Sequence, residues 1–232
     1  ENKLSYVSLH QFILNKLKLI YLKHFNNRSY KWIVQTRYMQ ETLSSKLKIN
    51  EDKIEIVPFY QIQDIDYIDK DFNEKIISFF CVTSSSRHKN LKRLVKAFKN
   101  ANLNKNIDYN LYITTNGKDI NMINKRIKYL GSINRNEITK YYSKSHYVIL
   151  PSLVESFGLP IFEGIKSGSN VILSNINSLK EICQPSLNFD PLNTNDISRA
   201  IQNAANLNYE TKSSITIKNE INNFINLITR NV

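Results

Sequence analysis

Cysteine is scarce in this 232-residue chain: there are two, Cys81 and Cys183, both in apolar company. That is too few and too plainly set for a disulfide framework or a zinc site, so both read as core filler. No stretch of about 18 consecutive apolar residues is present, which argues against a membrane-spanning helix. The first residues, Glu1-Asn2-Lys3-Leu4-Ser5-Tyr6, lack the apolar core of a secretory signal. The expectation is a soluble, cytoplasmic protein, at most peripheral on the inner face of the membrane. Glycine is scarcer than in an average chain: five residues, Gly117, Gly131, Gly158, Gly164 and Gly168, all within one quarter of the sequence. Glycine serves where backbone turns with positive φ or must approach a neighbour or a ligand closely. A chain that keeps its few glycines in one stretch is expected to build its site there.

What is abundant is positive charge. The formal net charge is +12; residues 1–50 hold nine Lys/Arg against Glu1 and Glu41, a net of +7, which leaves +5 for the remainder. A cationic surface attracts nucleic acid, anionic membrane or an anionic substrate alike. Nucleic acid fits least, because the aromatic residues of the basic segment follow helical spacing rather than forming a stacking platform. An anionic membrane remains an expected partner.

The apolar pattern divides the chain. Leu9, Phe12, Ile13, Leu17, Ile20 and Tyr21 recur at helical spacing over 8–24, followed by a strand at 32–34, a helix at 37–48 and a strand from Ile54 to Pro58. Residues 61–75, rich in Asp64, Asp66, Asp69, Asp71 and Glu74, read as a linker between residues 1–60 and a second domain at 76–207. Within that domain, strands at 76–82, 109–114, 128–131, 146–150 and 170–173 alternate with helices at 90–102, 119–127, 135–144 and 159–167. Alternation of this kind implies an α/β fold with a parallel, doubly wound sheet. Its ligands belong in the crevice beyond the carboxyl ends of the strands. Helices at 195–206 and 211–228 complete the pattern, residues 208–232 forming a C-terminal helical segment.

One segment carries the chemistry. From Tyr147 to Glu163 the chain passes from an apolar strand through a polar loop into a helix with Pro160 in its first turn, where proline's missing N–H is not needed. The N–H groups of Phe157, Gly158 and Leu159 would then face outward with the positive end of the helix dipole, an anion site suited to a diphosphate. Glu155 in the loop and Glu163 inside the helix are pure acceptors when ionised, suited to sugar and ribose hydroxyls. Two carboxylates can also serve a glycosidase, but here one follows an anion-binding turn and a basic pair, Arg87 and Lys89, accompanies them. His146, on an apolar strand, reads as a core histidine. No Asp-x-Asp arrangement accompanies the site, so no metal is expected.

Glu155 and Glu163, seven residues apart around Phe-Gly-Leu-Pro, resemble the E-x7-E signature of the family 4 retaining glycosyltransferases of GT-B fold. Leu130-Gly131, Pro151-Ser152, Glu163-Gly164, Gly168, Val171-Ile172 and Ser178-Leu179-Lys180-Glu181 follow that family's order and spacing. The resemblance spans 76–207; residues 30–60 resemble the end of the family's N-terminal, acceptor-side domain. It implies two Rossmann-like parts, the second complete and the first partial. It also implies transfer of a sugar from a nucleotide-diphosphate donor, a UDP- or GDP-sugar, to a glycan or lipid-linked acceptor hydroxyl with retention, as in bacterial surface polysaccharide synthesis. Beyond that substrate it implies no cofactor. Carried over by residue, Glu155 meets the donor sugar, Glu163 the ribose, and Arg87 or Lys89 the diphosphate. Ser84, Phe157, Gly158 and Leu159 border the donor, while Gly117, Gly131 and Ile133 lie near the base. Thr83-Ser84 stands where many members have Gly-Arg. The alternative is a module that binds donor nucleotide without turning over by itself.

Overall fold

The computed structural model describes residues 9–26, 31–62, 64–71, 76–103, 108–117, 124–207 and 211–229. They fall into two compact units, Ile62–Thr216 and a second formed by Glu1–Gln61 with Ile217–Val232.

In the smaller unit α1 (Leu9–Asn26) precedes β1 (Trp32–Val34), α2 (Arg37–Leu47) and β2 (Ile54–Ile56). The strands β1 and β2 pair in parallel, Ile33 opposite Glu55. Parallel pairing demands a crossover, and α2 supplies it. Thr36 starts that helix by accepting the Met39 N–H at 3.2 Å, and Lys48 ends it in the left-handed conformation.

The larger unit begins with β3 (Ile76–Cys81), α3 (Leu91–Asn100), β4 (Asp108–Ile113), β5 (Ile127–Tyr129), α4 (Arg135–Lys144) and β6 (Tyr147–Leu150). It continues through α5 (Leu159–Lys166), β7 (Asn170–Ser174), α6 (Asn177–Lys180), β8 (Cys183–Gln184), β9 (Leu187–Phe189), α7 (Thr194–Ala205) and β10 (Ser214–Ile215). The last helix, α8 (Ile221–Thr229), belongs to the smaller unit.

Six strands form one sheet in the order β5-β4-β3-β6-β7-β9, every pair parallel. From β3 the chain winds outward through β4 to β5, then returns to β6 beside β3 and winds the other way. This is the doubly wound sheet the alternation predicts, with its reversal between β3 and β6. On one face Phe79, Tyr147, Ile149 and Leu111 pack against Leu94, Val95 and Phe98 of α3 and Ile197 and Ile201 of α7, all buried. On the other, Phe80 meets Tyr142 of α4 edge-on at 5.1 Å. Gly164 lets α5 lie close to β6: a Cβ there would stand 2.7 Å from Val148 Cγ2. Asn134 and Glu137 cap α4 reciprocally, each side chain accepting the other's backbone N–H, at 3.0 and 2.9 Å.

His146 is a core histidine: Nδ1 accepts the Ser78 N–H at 3.2 Å, so Nε2 carries the proton and donates to the Asp71 carbonyl at 3.1 Å. The described residues of the same acidic stretch, read as a linker, have no regular structure, and Ile68 N–H further ties them down on the Ser167 carbonyl at 3.3 Å.

Three features depart from the sequence reading. The helix placed at 119–127 lies mostly outside the described residues, and its last part is a turn leading into β5 at Ile127. Short strands β8 and β9 and the single turn α6 fall where no element is foreseen. The helix placed at 211–228 begins only at Ile221, because Ser214 and Ile215 pair antiparallel with Gln184 and Cys183. Asn219 then starts α8 by accepting the Ile221 N–H at 3.2 Å.

Candidate functional site

The reversal between β3 and β6 puts two loops side by side at the carboxyl edge of the sheet, 82–90 after β3 and 151–158 after β6. Backbone joins them: Leu153 N–H donates to the His88 carbonyl at 2.7 Å. Asn90, buried and in the left-handed conformation (φ 58°), donates to the Pro151 carbonyl at 3.0 Å and the Pro191 carbonyl at 2.7 Å. An asparagine before a helix usually reads as its cap. Here its side chain caps no backbone N–H of α3: the Nδ2 amide pins the loops after β6 and β9, while Oδ1 accepts from the Arg93 guanidinium at 2.9 Å.

Across this junction Lys89 Nζ and Glu155 Oε2 form an ion pair at 2.7 Å, their side chains 22% and 13% exposed. Ser152 Oγ donates to the same Glu155 oxygen at 3.3 Å, and Ser156 N–H to Oε1 at 3.3 Å. The two residues set 66 positions apart in sequence are thus brought together. Arg87, two residues earlier in a turn of 3-10 helix, is exposed, and its guanidinium makes no hydrogen bond or ion pair with another described residue. Burial and the nearby Lys89 charge lower the pKa of His88, between them in sequence, against a smaller opposite pull from Glu155. Its imidazole therefore stays neutral at pH 7. Ser84 is exposed and bonds Ser86 Oγ at 3.2 Å.

Gly158 is the cap of α5, with φ +72°, and Pro160 sits in the helix's first turn. The left-handed backbone is why glycine stands there: an added Cβ would be strained and would lie 2.9 Å from Ile161 Cδ1. The N–H groups of Gly158 and Leu159 make no bond with another described residue, so the positive end of α5 is open. Phe157 is buried and stacks on Phe162 at 5.0 Å, anchoring the loop from below.

Glu163, half-buried on α5, accepts from the Tyr142 hydroxyl at 2.7 Å through Oε2. Burial first, then the Glu163 charge and this hydrogen bond, raise the Tyr142 pKa well above 10. The tyrosine therefore donates at any physiological pH and orients the carboxylate, leaving Oε1 available. Nothing in the local pattern of α4 marks Tyr142 for this; its pairing is a product of the packing of α4 on α5. Thus Glu155 pairs with Lys89 and Glu163 with Tyr142.

The glycines of the expected base region meet at one residue. Gly117 N–H donates to Thr115 Oγ1 and Gly131 N–H to the Thr115 carbonyl, both at 3.1 Å. Thr83 N–H reaches Thr114 Oγ1 at 2.8 Å, so the loops after β3, β4 and β5 are linked along the same edge. Ile133 is half-buried beside Gly131. A cavity of about 330 Å³ opens on the other half of the sheet, at the ends of β7 and β9 beside α6, and none of the expected site residues lines it. Among the described residues no group of three or more His, Cys, Asp or Glu could hold a metal ion. None of the described helices is long and apolar enough to cross a membrane.

Comparison with known proteins places these observations. A family model described as "Glycosyl transferases group 1" matches residues 63–220. The O-antigen chain mannosyltransferase RfbU of Salmonella typhimurium is 25% identical over 183 residues, 73% of this chain and 49% of that protein. The chain therefore spans about half the length of that relative. Among solved structures, the apo form of the lipopolysaccharide outer core galactosyltransferase WaaB matches with a TM-score of 0.66 at 13% identity, over 88% of this chain and 62% of that one. The pneumococcal O-GlcNAc transferase GtfA, solved with UDP and GlcNAc, matches with a TM-score of 0.57 at 19% identity, over 80% and 39%. Both likenesses are of fold.

Proposed function

The chain belongs to the glycosyl transferases group 1 family, and from that premise we propose that it supplies the donor-binding half of a retaining glycosyltransferase. It takes a hexose from a UDP- or GDP-sugar and passes it to a hydroxyl of a glycan or lipid-linked acceptor in bacterial surface polysaccharide synthesis. The observation that carries this reading is the Lys89–Glu155 pair set across the β3–β6 reversal, beside the open amino end of α5.

Each residue then has a distinct task. The N–H groups at Gly158 and Leu159 and the α5 dipole face the diphosphate. Arg87, uncommitted to any described partner, meets the charge that builds on the leaving nucleotide, the place that Ser84 leaves without a cation. Lys89 holds the Glu155 carboxylate at the crevice, where it accepts from donor-sugar hydroxyls. The Tyr142 hydroxyl occupies Glu163 Oε2 and leaves Oε1 for a ribose hydroxyl. Gly117, Gly131 and Ile133 border the base through backbone and shape. The protein's cations meet the leaving-group charge in this scheme, with no metal assigned. The domain division that goes with it sets residues 1–60 on the acceptor side, 61–75 as the connection, 76–207 as the donor domain and 208–232 as the closing segment.

Titration calorimetry with UDP and GDP tests the assignment. Glu163→Gln should weaken bare nucleotide binding by roughly 10-fold, the loss of about one charged hydrogen bond. Glu155→Gln should spare bare nucleotide and weaken only the nucleotide sugar. Equal losses of bare nucleotide affinity would refute the division of labour; absence of nucleotide binding by the unaltered protein would refute the reading itself.

The place of work in this proposal is the cytoplasmic membrane surface. Ile13, Leu17, Ile20 and Tyr21 are exposed along one side of α1, with Lys16, Lys18 and Lys23 at its flanks, the composition of a helix that lies on anionic lipid. Vesicle binding should rise with anionic lipid content and fall with salt; indifference to both would count against it.

A further inference from the structure

The cavity beyond α6 lies at the same carboxyl edge of the sheet as the donor crevice, bounded by the end of β7, α6, β8 and β9. Its polar wall comes from four separate elements: Asn175 after β7, Lys180 on α6, Gln184 on β8 and Asn188 on β9. None of these four side chains has a hydrogen bond or ion pair with another described residue. The two lining hydroxyls differ: Ser174 Oγ is committed to the Leu150 carbonyl at 3.1 Å and Thr216 Oγ1 to the Glu181 carbonyl at 2.9 Å. Leu173, Ile176 and Leu179 give the cavity an apolar side.

This set of groups selects a ligand. Three carboxamides each offer both a donor and an acceptor, which is what neighbouring hydroxyls require. The lining includes one cation and no carboxylate, so a cationic ligand finds no partner, whereas a neutral or acidic one does. There is no aromatic ring to stack a base, and the volume lies at the lower end of the range for small-molecule sites, that of one sugar unit rather than a whole nucleotide sugar. The position is equally pointed. Leu179 lines the cavity, and its Cδ2 lies 3.5 Å from where a Cβ on Gly158 would stand. A single side chain therefore separates the cavity from the turn where the donor diphosphate and sugar are proposed to bind.

We infer that this cavity is an acceptor subsite that holds one hydroxyl-rich sugar unit of the acceptor glycan through Asn175, Gln184 and Asn188. The inference rests on the glycosyltransferase reading above. It assigns to the donor unit itself a share of acceptor recognition, with Lys180 favouring acidic over basic sugars.

The test uses the protein with bound UDP or GDP, titrated with methyl α-mannoside and methyl α-galactoside and followed through the side-chain amide signals of its Asn and Gln residues. Saturable shifts are expected on Asn175, Gln184 and Asn188 with at least one of the two sugars. The Gln184→Ala/Asn188→Ala double variant should weaken that sugar roughly tenfold while nucleotide affinity stays unchanged. Asn175→Ala, in a loop rather than a strand, gives the same readout without touching the β8 or β9 backbone. Normal nucleotide binding with no sugar shifts, or with shifts that both variants leave intact, overturns the inference and leaves the donor assignment standing. Failure of the unaltered protein to bind either nucleotide overturns both.

Discussion

Removing the Lys89–Glu155 pair is the sharpest test of how the two site loops are held. At 2.7 Å Coulomb's law with an effective dielectric of about 20 gives about 6 kcal/mol of attraction. The side chains are 22% and 13% exposed, so the cost of desolvating both ions returns most of that. What survives lies above the value of about 0.2–1 kcal/mol for solvent-exposed pairs, and a net coupling of about 1–2 kcal/mol follows. Lys89→Met leaves the Glu155 carboxylate with only two long contacts, Ser152 Oγ and Ser156 N–H at 3.3 Å each. It should cost about 2–3 kcal/mol. Glu155→Gln keeps an acceptor for Lys89 and should cost less, about 1 kcal/mol. The double variant should lose less than the sum, by the coupling. Urea unfolding at pH 7, in low salt, measures the cycle. It should be followed by circular dichroism, because the one tryptophan, Trp32, sits in the other compact unit and reports on that unit. A coupling below about 0.5 kcal/mol, within the usual additivity of independent sites, would refute the view that the pair ties the loops together.

Two further outcomes test the packing around the site. Gly164→Ala forces a methyl to within 2.7 Å of Val148 Cγ2 and should destabilise the larger unit by about 1–3 kcal/mol; a neutral urea midpoint would contradict the close approach of α5 and β6. Burial pushes the Cys81 thiol up from 9.0 to about 12, with Lys89 pulling slightly the other way, and burial alone does the same for Cys183. Both thiols should therefore resist alkylation at pH 8.5 in the folded protein and react after unfolding. Because their folded pKa values are raised, the stability they contribute is complete below pH 9 and fades as pH climbs from 9 towards 12. Rapid labelling of either thiol in the native state would contradict their placement.

Much of the larger unit was legible from local pattern. Apolar strands such as Ile76–Cys81 and Asn170–Ser174 stand between helices whose apolar residues recur at helical spacing, as in α3, and this alternation alone dictates a parallel sheet with crossovers. Pro160 after Gly158 marks the start of α5 with local chemistry, a fixed φ and a positive one, so it too needs no tertiary information. Spacing marks Glu155 and Glu163 as candidates, and a place after a strand marks the loop holding Arg87 and Lys89.

What local pattern could not supply was which groups meet. Strands β8 and β9 are two and three residues long, too short for periodicity, and exist only because a neighbouring strand completes their hydrogen bonds. The stretch from Ser214 could not be told from a helix until β8 offered it a ladder. In the same way, the sequence offers the candidate site Arg87, Lys89, Glu155 and Glu163, but only the placement of β3 beside β6 gives Lys89 to Glu155 and leaves Arg87 open. Only the packing of α4 against α5 gives Glu163 the Tyr142 hydroxyl. Residue type and spacing determine which groups are available, because propensity and capping act over a few positions. Which group partners which is decided by contacts between residues tens of positions apart, and those exist only once the sheet has closed around its core.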